Sequence, residues 1–106
     1  MKIKRIDHVG IIVEDLTAVK NFFLDFGLEM MGEGEVEGEW VERIIGLKDV
    51  SQNVVMMRTP DGEANIELVN LSNHYFIHVL RLAVRISSIK NYAVLSHGCF
   101  GLFFKL

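Results

Sequence analysis

The chain has 106 residues, half of them hydrophobic and only one of them proline, which suits a single packed domain and excludes a disordered chain. A single cysteine, Cys99, excludes an internal disulfide framework and a multi-cysteine zinc module, and a net charge of −3 makes no electrostatic case for nucleic acid. No apolar run is long enough to span a membrane and MKIKRIDH has no signal-peptide core, so a soluble cytoplasmic domain with no membrane partner is expected.

Residues Ile3–Val13 predict a strand. Ile6, His8, Gly10 and Ile12 fall on one face; Asp7, Val9, Ile11 and Val13 fall on the other, more apolar one, which should lie against a helix. Asp15 is the expected N-cap of that helix. Leu16, Val19, Phe22, Phe23 and Phe26 recur at helical spacing, and Gly27 is the left-handed stop.

The acidic, glycine-rich stretch Glu29–Glu42 reads as strand and loop rather than a second long helix. Asn53–Arg58 and Ala64–Val69 predict a hairpin around Thr59-Pro60-Asp61-Gly62. Asn65, Glu67 and Val69 share one face of its second strand. The first 70 residues therefore spell β-α-β-β-β.

Charge and pattern both change after that point. Residues 1–70 hold all fourteen acidic residues and seven basic ones, a net −7, whereas only Arg81, Arg85, Lys90 and Lys105 are charged beyond them. Four cations so widely spread make no dense patch for an anionic partner. A weak copy of the opening begins near Leu80. Val9, Ile11, Val13 and Leu16 superpose on Leu82, Val84, Ile86 and Ile89 at a constant offset of 73 residues. Ser88 would cap a second short helix running through Leu95 to Gly98. By Gly27 and Gly98 the offset has shrunk to 71, so that helix is expected to be two residues shorter. The copy stops before its last strands, as in a truncated module.

IDHVGIIVEDL, FGLEMMGE, VEGEWVERIIGL and MMRTPDGEANIELV, in this order, resemble the vicinal oxygen chelate superfamily. That is the glyoxalase, bleomycin-resistance and extradiol dioxygenase group, built from paired βαβββ modules. The likeness spans residues 3–70 well and 79–99 loosely. It implies an α+β fold in one domain, 1–106: a complete βαβββ module over 1–70 and a truncated second βα module over 79–106, their mixed sheet forming a half-cup.

The resemblance also implies a divalent metal in the cup. His8 matches the first-strand ligand and Glu67 the fourth-strand one, and the period-2 pattern lets both face away from the helix. Imidazole plus carboxylate suits Zn, Ni, Mn or Fe. Arg81 stands where the copy would repeat His8, and a guanidinium cannot ligate a cation. The strand for a fourth ligand is missing, so a two-fold homodimer would complete the site with His8 and Glu67 of each subunit.

The implied activity is a glyoxalase-type, metal-dependent lyase or isomerase acting on a small molecule with neighbouring oxygens. In that activity Glu67 would serve as a catalytic base beside a carbonyl. Trp40, Arg43 and Arg58 are candidates for substrate binding, since arginine forks onto carboxylates, although pairing with nearby glutamates is the commoner use. The alternatives are a non-catalytic binder that sequesters a small molecule, as bleomycin-resistance proteins do, and an inactive truncated member.

The remaining features carry less chemistry. Met30, Met31, Met56 and Met57 suit core filling or an adaptable pocket wall. His74, His78 and His97 form no ligand pattern, and Cys99 has no specified base. The apolar tail CFGLFFKL, a hazard if left as an open edge, is expected to be buried, in a dimer ahead of the alternative that it completes the chain's own core.

Overall fold

The computed structural model describes residues 2–45, 48–71, 85–89, 92–97 and 100–105, the last three segments through their backbone. The first module runs β1 (Arg5–Ile12), α1 (Leu16–Asp25), β2 (Glu29–Glu37), α2 (Glu39–Ile45), β3 (Ser51–Arg58) and β4 (Asn65–Leu71). Three strands follow: β5 (Arg85–Ile89), β6 (Tyr92–His97) and β7 (Phe100–Lys105). Among the described residues these seven strands form one mixed sheet in the order β2-β3-β4-β1-β7-β6-β5. Only the β1–β4 pair is parallel; the other five are antiparallel. This is an α+β fold whose first 71 residues form the βαβββ module, with α2 added between β2 and β3.

Local chemistry accounts for the elements. Asp15 caps α1, its Oδ1 accepting from the Ala18 amide at 2.9 Å, and Gly27 ends the helix at φ 98°. Leu16, Val19 and Phe23 pack with Leu28 and Ile11 on buried Val55, Met57 and Leu68. Phe22 and Phe26 were expected on that stripe but are 52% and 72% exposed. At about 100° per residue they lie on a neighbouring strip of the helix, where they contact each other at 4.7 Å.

The hairpin forms as expected. Gly62 takes φ 74° and its amide donates to the Thr59 carbonyl at 2.8 Å. Helix α2 was not anticipated. Its first turn is nucleated by the Gly38 carbonyl, which accepts from the Val41 and Glu42 amides at 3.0 and 3.2 Å. Glu39 and Glu42 near its N-terminus and Arg43 in its last turn complement its dipole.

Val41 ties α2 to the sheet. It is fully buried with Val50, Val69 and Leu71, against Ile12, Val36 and Val54. Period-2 alternation puts Ile12, Val54, Val69 and Leu71 on the face opposite α1. The backbone of α2 approaches β2 at one edge of the sheet, and β5 and β6 at the other. Both edges can reach one helix only if the sheet curls around it, so the face opposite α1 is concave.

The C-terminal copy departs from its expected form. The helix read from Ser88 to Leu95 does not form: Ser88 and Ile89 lie in β5 and Tyr92 to Leu95 in β6, strands that pair from Arg85↔Ser96 to Ile89↔Tyr92. So short a helix gains little in isolation, whereas β6 is flanked by a strand on each side. The tail is also not an open edge: β7 lies between β1 and β6 of its own chain. His74, His78, Arg81 and Cys99 lie outside the described residues.

Candidate functional site

His8 and Glu67 meet on the concave face. Parallel pairing sets Gly10 beside Glu67, and His8 is two residues before Gly10 on the same side of β1. His8 Nε2 lies 3.4 Å from Glu67 Oε2, an ion-pair distance, with the His8 side chain 9% and the Glu67 side chain 17% exposed.

The other ring nitrogen is held by Asp7, whose Oδ2 lies 2.8 Å from His8 Nδ1. Alternation had put Asp7 on the helix side. The correction comes from a bulge: Ile6 pairs with Phe104 and His8 with Phe103, leaving Asp7 as an extra residue in β1. A bulge breaks alternation and turns two successive side chains toward one side. Arg5 holds the second carboxylate oxygen of Asp7 at 3.2 Å, and Asn65 Nδ2 donates to the Asp7 carbonyl at 3.3 Å, tying the bulge to β4.

The charges reinforce one another. Burial opposes a charge on His8, but Glu67 and Asp7 on either side outweigh it and raise the ring's pKa above its usual value. Burial likewise works against ionised Asp7, but His8 and Arg5 prevail and lower its pKa. Asp7 and Glu67 thus flank the imidazole, one at each ring nitrogen.

The donor geometry suits one cation. Two ligands bonded at about 2.1 Å to the same ion stand roughly 3.0–3.4 Å apart at octahedral to tetrahedral angles. The 3.4 Å between His8 Nε2 and Glu67 Oε2 meets that requirement. Among the described residues no group of three or more His, Cys, Asp or Glu gathers in metal-binding fashion.

The other site candidates are dispersed. Arg58 pairs with Asn65, two residues before Glu67, so it shares the concave face and lies diagonal to Glu67. Its guanidinium reaches Glu29 at 3.2 Å, with both side chains about half exposed. Trp40 and Arg43 are exposed on α2, and Trp40 lies beside Gly38. The methionines divide. Met57 is fully buried on the α1 side, Met56 is partly buried on the concave side beside Glu67, and Met30 and Met31 are exposed where β2 bulges.

No protein-family model matches the sequence, and no curated protein matches it. Among solved structures, the chain is similar to a glyoxalase family protein from Bacillus cereus, with 27% identity and a TM-score of 0.63 over 90% of this chain and 86% of that one. Among the described residues no helix is long and apolar enough to cross a membrane. Topology, the curled sheet and this likeness agree that the chain has the glyoxalase-type fold.

Proposed function

We propose that the chain is a glyoxalase-type protein of the vicinal oxygen chelate superfamily, using His8 and Glu67 to hold a divalent cation. The observation that carries this reading is the 3.4 Å approach of an imidazole nitrogen and a carboxylate oxygen on one concave face. Zn, Ni, Mn or Fe suits that donor pair. The bound ion would chelate two neighbouring oxygens of a small molecule and stabilise negative charge on them.

The chain's own residues would do the rest. His8 presents Nε2 while Asp7 holds Nδ1. Glu67 either ligates through one oxygen or takes a proton from the carbon beside a substrate carbonyl. Arg58, diagonal to Glu67, can exchange its Glu29 partner for a substrate carboxylate. Trp40 and Arg43 would contribute from α2. The remaining coordination positions go to water and substrate oxygens, or to the same pair of a second subunit in a homodimer. β1 is paired on both edges, by β4 and β7, so such a subunit would have to approach by its face and not by strand addition.

A second reading is favoured by the same row of three groups. His8 lies 2.8 Å from Asp7 and 3.4 Å from Glu67, so the three side chains can partner one another without an ion, which suits a metal-free binder that sequesters a small molecule in the concavity. Native mass spectrometry with metal analysis on the same sample separates the two. One divalent ion per chain or per dimer, lost in both His8→Ala and Glu67→Gln, supports the metal-dependent lyase or isomerase. A chain that stays metal-free when offered Zn, Ni, Mn and Fe overturns it.

A further inference from the structure

The bulge at Asp7 is a costly feature to place in the middle of a seven-stranded sheet. It leaves one residue of β1 outside the β7 register, and the backbone there is tied down by Asn65 from the neighbouring strand. Bulges of this kind serve to re-aim a side chain. Here the re-aimed group is a carboxylate. Without the bulge, Asp7 and His8 would point to opposite faces and could not touch, because adjacent side chains alternate. With it, Asp7 Oδ2 comes to 2.8 Å from Nδ1, while Nε2 is left facing Glu67.

We infer that Asp7 is a positioning residue: the bulge brings its carboxylate to accept the Nδ1 proton of His8, which holds the neutral ring with Nε2 as the metal-binding lone pair directed at Glu67. The inference rests on the metal reading above. A free imidazole has two tautomers, and only the one protonated at Nδ1 presents a lone pair at Nε2. Glu67, facing Nε2, favours the other tautomer in the metal-free chain by offering an acceptor there. Asp7 opposes it from the shorter distance. Arg5 on the second Asp7 oxygen helps to orient the carboxylate. A carboxylate behind a ligating histidine also raises the ring's basicity, and losing such a partner typically costs about 10- to 100-fold in metal affinity.

The test compares the wild-type chain with Asp7→Ala and Asp7→Asn by two readouts. The first is the nitrogen-15 spectrum of His8 in the metal-free chain at a pH where the ring is neutral. Wild type should show the proton on Nδ1; Asp7→Ala should move it to Nε2; and Asp7→Asn, whose amide oxygen still accepts, should largely retain it on Nδ1. The second is Co²⁺ affinity by absorption titration, expected to fall about 10- to 100-fold in Asp7→Ala and less in Asp7→Asn.

A merely structural role for Asp7 would leave the tautomer unmoved, and that result overturns the inference. So does an Asp7→Ala chain that binds Co²⁺ as tightly as wild type. If Asp7→Ala does not fold, Asp7→Asn carries the test: affinity no lower than wild type in this uncharged variant overturns the inference. A wild-type chain that binds no Co²⁺, Zn²⁺, Ni²⁺ or Mn²⁺ while its tautomer follows Asp7 refutes the metal reading and upholds the positioning role.

Discussion

Asp7 Oδ2 and His8 Nδ1 lie 2.8 Å apart although the two residues are neighbours on one strand, where side chains ordinarily point to opposite faces. A single extra residue in β1 makes the contact possible. It converts a histidine–glutamate pair into a row of three groups in which the imidazole is held from both sides.

That row makes the metal-free chain's stability depend on pH in a defined direction. The folded pKa of His8 lies above the ordinary histidine value of 6.5, so its contribution is full below that value and is lost as pH rises through the folded-state pKa. Asp7 is lowered from 3.8, so its contribution is present above that value and is lost as pH falls through the lower folded-state pKa. Melting temperatures in chelator should show the advantage of wild type over His8→Gln shrinking from mildly acidic to alkaline pH. An advantage that grows with pH would contradict this assignment.

The α1-side core should be the most sensitive to truncation. Leu68 is fully buried, so Leu68→Ala should cost about 2–5 kcal/mol in urea denaturation. Phe26, 72% exposed on the same helix layer, should cost no more than about 0.5 kcal/mol as Phe26→Ala. Equal costs would mean that α1 lies on the sheet by a different face.

Among the described side chains of α2, Val41 is the buried one. Val41 is fully buried, whereas its neighbour Trp40 is 41% exposed. Val41→Ala should cost on the order of 2 kcal/mol and speed amide exchange over 39–45. Trp40→Ala should leave that exchange nearly unchanged. Because α2 touches both edges of the curled sheet, its release should also loosen β2.

Much of this was legible in the chain. The cap at Asp15, the stop at Gly27, the Thr59–Gly62 turn and the alternation in β4 are local signals, since each depends on residues within a few positions of one another. They determined the βαβββ order and put Glu67 on the side away from α1. With the period-2 pattern of β1, they also determined that His8 would share that side.

Other features were decided only in three dimensions. Asp7 turned toward His8 because β7, nearly a hundred residues away, pairs with β1 out of simple register. The segment opening at Ser88 has a helix-like beginning, yet Ser88 and Ile89 lie in β5 and Tyr92 to Leu95 in β6, where sheet partners are present on both sides. Glycine and charge pointed away from helix in 39–45, but burying Val41 in the concave face decided otherwise. Local propensities are worth tenths of a kcal/mol per residue, whereas pairing an edge or burying an aliphatic side chain is worth more. The sequence by itself therefore determined the module and put His8 and Glu67 on one face, and tertiary pairing determined the approach of Asp7 and the form of the C-terminal strands.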